Sequence, residues 1–76
     1  MTPRATLRTS HEDPAVIAAA LEPDNTEEMS TRADPTEGTV VTTIERETTG
    51  GLRTSVDDYV ANLTVAQRTT DTITQL

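Results

Sequence analysis

Hydrophobic and polar positions first alternate over Arg4–Ser10, where Ala5, Leu7 and Thr9 interleave with Thr6, Arg8 and Ser10. That period of two predicts a strand with one modestly apolar face. The period then changes. Asp13 precedes Pro14 and an alanine-rich run to Leu21. Aspartate at the cap and proline at the first helical position start a helix. Val16, Ile17, Ala20 and Leu21 are expected to form its buried face, and Pro23 to end it. A polar loop, Glu22 to Glu28, follows. Met29 to Asp34 alternates weakly, with Met29, Thr31 and Ala33 on one side. Asp34-Pro-Thr-Glu-Gly38 has the chemistry of a hairpin turn: Asp opens it, Pro fixes φ and Gly accepts a positive φ. Thr39 to Glu47 is rich in β-branched residues and predicts a third strand. Val40, Thr42 and Ile44 share its buried face; Val41, Thr43 and Glu45 share the other. Thr48-Thr-Gly-Gly51 breaks the strand. From Leu52 the apolar positions return at helical spacing: Leu52, Val56, Tyr59, Val60, Leu63, Ala66 and Ile73, with Thr70 in the same stripe.

Strand, helix, strand, strand, helix predicts one α+β domain over residues 1–76. Its expected form is a three-stranded antiparallel sheet with both helices packed on one face, in two layers. The first helix is too short to persist undocked. Where a surface helix normally places charge, it has Ala15, Ala18 and Ala19, small enough to admit another element closely. Ala61 and Val65 lie off the stripe of the long helix and are the matching candidates there. Arg53 is read as standing in the first turn of that helix, where a cation opposes the dipole. Its nearest acidic neighbour, Asp57, follows it in the less favourable orientation. Arg53 is therefore a further candidate for contact with a partner's carboxylate or carbonyl.

Composition strengthens the case for a partner. A chain of 76 residues buries only about 60% of its unfolded surface. It has one Tyr, no Phe, no Trp and no Cys, so neither aromatic bulk nor a disulfide compensates. Association with another chain is the expected support. The net charge is −7 with pI near 4.4, and all six basic residues are arginine. Scattered carboxylates without lysine fit adaptation to high salt, which screens self-repulsion. This balance argues against unaided nucleic-acid binding. Arg4, Arg8 and Arg32, on one sheet face by their alternation, are the only candidates for it. No window approaches eighteen apolar residues, no charged-then-apolar pattern opens the chain, and a cytoplasmic location is expected.

No residue pattern carries catalysis. His11 is a single histidine with no cysteine or second histidine beside it, read as a loop residue ahead of a helix cap. Glu12-Asp13, Glu27-Glu28 and Asp57-Asp58 are neighbours in sequence, and adjacent residues on a helix do not face each other. Gly50-Gly51 is a bare pair read as a strand-to-helix corner. Ser10, Ser30 and Ser55 lack a nucleophile's setting. Tyr59 is read as a core residue with its hydroxyl at the edge. No cofactor, metal or enzymatic activity is expected.

Leu21-Glu-Pro-Asp-Asn25 after an alanine-rich helix, then Ile44-Glu-Arg-Glu47, then Leu52-Arg-Thr-Ser-Val-Asp-Asp-Tyr59, resembles the small Pcc-type subunit of the KEOPS complex. The resemblance runs from about Ala5 to the C-terminal helix. Asp57 and Asp58 stand where that family usually has Asn and Ser. The resemblance implies a β-α-β-β-α fold and a non-catalytic role. It implies a homodimer with sheets joined across it, and helices that bind the transferase subunit making threonylcarbamoyladenosine in tRNA. Contact with tRNA would come through the assembled complex. The competing expectation is a free-standing small dimeric regulatory or interaction protein.

Overall fold

The computed structural model describes residues 2–22 and 28–74, with side chains as far as residue 71. The elements are β1 (Arg4–Ser10), α1 (Pro14–Leu21), β2 (Met29–Asp34), β3 (Thr39–Glu45) and α2 (Thr49–Thr74). The sheet order is β1-β3-β2, and β3 pairs antiparallel with both neighbours. This is the expected α+β arrangement. The strand richest in β-branched residues takes the central position, where both of its edges are paired. Pro23 and the middle of the expected polar loop lie outside the described residues.

The hairpin between β2 and β3 closes as its residues dictate. Asp34 Oδ1 accepts the Glu37 N–H at 3.3 Å. Gly38 adopts φ 68°, a left-handed conformation that costs an L-residue and not glycine.

Both helices lie on the sheet face carrying Val40, Thr42 and Ile44. Ile17 and Leu21 of α1 and Tyr59 of α2 close one core with Val40 and Ile44. Leu7, Met29, Leu52, Val56, Leu63 and Ala66 pack around it. Thr42 is fully buried among them. It is satisfied there because its hydroxyl donates to the Tyr59 hydroxyl at 2.6 Å and meets Thr31 Oγ1 at 3.0 Å. The phenol of Tyr59 therefore sits inside the core and not at its edge, since the strand offers it a polar partner there.

Two helical faces differ from expectation. In α1 the buried set is Pro14, Ile17 and Leu21, with Ala18 half-buried against the core. Val16 and Ala20 point out instead. Each precedes a buried residue by one position, a rotation of about 100° on a helix of 3.6 residues per turn. In α2, Val60 follows Tyr59 and is turned out for the same reason, remaining 45% exposed. The Ile73 side chain lies outside those described.

α2 also begins earlier than Leu52, and β3 ends at Glu45 instead of Glu47. Thr48 caps the helix: its hydroxyl accepts the Gly51 N–H at 3.0 Å, and its carbonyl accepts the Leu52 N–H at 3.0 Å. The glycine pair thus forms part of the first turn. Arg46 supports this corner, with its guanidinium donating to Glu28 at 2.7 Å and to Ser55 Oγ at 2.5 Å.

Candidate functional site

α1 contains no charged residue, and the side turned from the core exposes Ala15, Val16, Ala19 and Ala20. Val16 is 46% exposed. On α2 the exposed apolar residues are Val60, Ala61 and Val65, the last 62% exposed. Of the residues singled out from sequence, Ala15, Ala19, Ala61 and Val65 are therefore on outer helix surfaces. Ala18 is not a surface candidate, because it packs on the core one position after Ile17. Arg53 is exposed in the second turn of α2, not the first, since the cap is at Thr48. It makes no ion pair with a described residue.

The opposite sheet face is covered by neither helix. Register sets Arg8, Val41 and Arg32 in one row across the three strands. The next rows are Thr6, Thr43 and Ser30 on one side, and Ser10, Thr39 and Asp34 on the other. Arg8 and Arg32 are exposed, while Val41 between them is only 6% exposed. Arginine stems cover apolar surface while their heads stay in water. The three arginines expected on one face do share it. Arg4 is held by Glu45, to which its guanidinium donates from Nε at 2.7 Å and again from a terminal nitrogen. Arg8 and Arg32 make no ion pair with a described residue.

His11 has a place that its loop position did not announce. Its backbone N–H extends the β1–β3 ladder to the Gly38 carbonyl at 2.9 Å. The period of Ala5, Leu7 and Thr9 continues to it, so the ring lies on the helix-bearing side. Nδ1 meets Gln67 Oε1 at 2.5 Å and Nε2 meets Thr9 Oγ1 at 2.7 Å. An amide oxygen only accepts, so Nδ1 carries the proton and, in the neutral ring, Nε2 accepts the threonine hydroxyl. Gln67 Nε2 donates onward to Asp71 at 2.8 Å. A cavity of about 280 Å³ opens beside this chain of bonds, with Glu12, Asp13, Ile17 and Thr70 on its walls. Asp13 stands at the α1 cap position, but its carboxylate makes no capping bond. Among the described residues, no group of three or more His, Cys, Asp or Glu is arranged to hold a metal ion. Among the described residues, no helix is long and apolar enough to cross a membrane.

Comparison with protein families, with characterised proteins and with solved structures returns no match for this chain.

Proposed function

We propose that this chain is a non-catalytic, dimerising accessory subunit of the KEOPS assembly, supporting threonylcarbamoyladenosine modification of tRNA by holding the transferase subunit. The observation that carries the reading is the uncharged outer side of α1. A net charge of −7 gives this protein ample means to solvate a helix surface, yet Ala15, Val16, Ala19 and Ala20 leave that surface apolar. Small side chains let a partner helix approach closely, and α2 exposes Val60, Ala61 and Val65 as well. Exposed apolar surface on a small protein marks an interaction site. The sequence resemblance supplies the partner's identity, and the β-α-β-β-α element order agrees with it. Direct contact with tRNA by this subunit would fall to Arg8 and Arg32 on the open sheet face.

Capture tests the reading. Tagged protein drawn from its own cell extract in molar salt should bring down the threonylcarbamoyl transferase, identified by mass spectrometry. Ala19→Arg and Val65→Arg should abolish that capture while leaving circular dichroism unchanged. Ala18 is unsuitable for such a test because it packs on the core. Transferase retained by both variants would sink the proposal. A dimer that never brings down a transferase would favour a free-standing regulatory protein.

A further inference from the structure

β2 is an edge strand, and its bonds to β3 fix which of its backbone groups are spare. Glu45 N–H donates to the Glu28 carbonyl at 2.8 Å. Bonded and non-bonded residue pairs alternate along an antiparallel pair, and unbroken register carries that alternation through Asp34. Ser30, Arg32 and Asp34 therefore spend their backbone groups on β3. Met29, Thr31 and Ala33 turn theirs outward, where no described backbone group meets them. The strand contains neither proline nor glycine to disturb that row. Met29, Thr31 and Ala33 put their side chains on the helix-bearing side, half-buried, while Arg32 and Asp34 put theirs on the open face. Arg32 and Asp34 carry opposite charges two positions apart. Neither makes an ion pair with a described residue, and Asp34 accepts the Glu37 N–H alone among them.

We propose that this edge takes an extended segment of a different protein as a fourth strand, antiparallel to β2, with an acidic residue opposite Arg32 and a basic residue opposite Asp34. The inference goes beyond the proposed function, whose contacts with the transferase lie on the helices. The three outward residues then make about six backbone hydrogen bonds, two for each bonded residue pair. Arg32 and Asp34 fall in the non-bonded pairs, whose Cα atoms stand about 4.5 Å apart and whose side chains come closest. Unlike charges directly opposed are stabilising and like charges destabilising, so the edge reads charge where its side chains are nearest the newcomer. Small or β-branched residues between the charged ones cover Thr31 and Ala33 on the helix-bearing side. A second copy of β2 fits this edge poorly. Outward groups must meet outward groups, which centres every antiparallel register on a residue. Centred on Thr31, β2 against itself sets Asp34 opposite Glu28. Centred on Arg32, it sets that residue opposite itself. Centred on Ser30 or Ala33, unlike charges meet, but one end of the strand is left without a partner strand.

A peptide made to that pattern reads the edge. Acetylated and amidated Lys-Val-Glu-Val-Thr-Val, laid antiparallel, sets its lysine against Asp34 and its glutamate against Arg32. The measurement uses the lowest salt that preserves the circular dichroism, where screening is least. The peptide should slow hydrogen exchange at the outward amides of Met29, Thr31 and Ala33. Glu-Val-Lys-Val-Thr-Val, with the charges exchanged, should bind about tenfold more weakly. Arg32→Glu should weaken the first peptide by a similar factor, and Lys-Val-Lys-Val-Thr-Val should restore binding to that variant. Ala33→Pro removes an outward N–H without touching the β2–β3 ladder, since proline is tolerated on edge strands, and should abolish the protection. Should Ala33→Pro fail to fold, the charge exchange at Arg32, an exposed residue, still decides. No slowing at any soluble peptide concentration overturns the fourth strand. Equal binding of the two charge patterns overturns the partner's chemistry. A mass by light scattering that halves on Ala33→Pro puts a second copy on this edge and overturns the foreign strand. Transferase capture through α1 is read separately and stands or falls by itself.

Discussion

Thr42 and Tyr59 face each other across the core with 2.6 Å between their hydroxyl oxygens, the one on the central strand and the other on the long helix. Thr42 is 0% exposed and Tyr59 3%. The pair joins the two layers through a polar contact in a core with little apolar bulk. It registers α2 against the central strand.

The two sides of that bond are unequal. Tyr59→Phe leaves Thr42 with Thr31 as a partner and should cost about 0.5–1.5 kcal/mol. Thr42→Val leaves the phenol buried without a partner among the described residues and should cost about 1–3 kcal/mol. The double variant should cost less than the sum, because no orphaned phenol remains. Denaturant titration in molar salt measures all three, and strictly additive costs would refute the coupling.

A second threonine on the same strand predicts the opposite sign. Thr39 is 6% exposed, and its hydroxyl has no hydrogen-bond partner. Thr39→Val removes an unsatisfied buried group, keeps the side-chain shape and suits a strand. It should stabilise the fold by about 1 kcal/mol. A midpoint shift to lower denaturant would show that the hydroxyl finds a partner in solution.

The glycine pair at the start of α2 separates in the same way. A Cβ on Gly50 meets nothing within 4 Å, whereas one on Gly51 comes to 3.0 Å from Thr48 Oγ1. Gly50→Ala should stabilise by about 0.5–1 kcal/mol through helix propensity. Gly51→Ala pushes against the oxygen that caps the helix and should lose about 1 kcal/mol. Thermal melts of the two variants should move in opposite directions; equal shifts would mean the cap can yield.

The sequence made the strands easy to read because period two is unambiguous when one face is buried. Ala5, Leu7 and Thr9, and Val40, Thr42 and Ile44, all turn to the helices as the alternation requires. α1 is harder because alanine carries little directional information. Val16 outweighs Ala18 in hydrophobicity, yet the face is set by Pro14, Ile17 and Leu21, and Ala18 falls inside it. The start of α2 was obscured because a glycine pair resembles a break, while Thr48 provides the cap. His11 was legible in principle: it extends the parity of β1 by one step, but its partner Gln67 is 56 positions away, beyond any local pattern.

That distant contact carries the last prediction. α2 has 26 residues and spans about 39 Å at 1.5 Å per residue. A seven-residue strand covers only about 23 Å. His11 stands at the Gly38 end of the sheet, so α2 has reached the limit of its support by Gln67. The bond from His11 to Gln67, continued to Asp71, holds the helix where packing gives out. His11→Ala and Gln67→Ala should each release that end and cost about 1 kcal/mol globally. Amides after Gln67 should exchange quickly in both variants, while those between Leu52 and Leu63 keep their protection. The two changes should not add, because each breaks the same bond. Thr9→Val, which spares the bond to Gln67, should do much less. Unchanged protection after Gln67 in His11→Ala would mean that the end of α2 holds without this anchor.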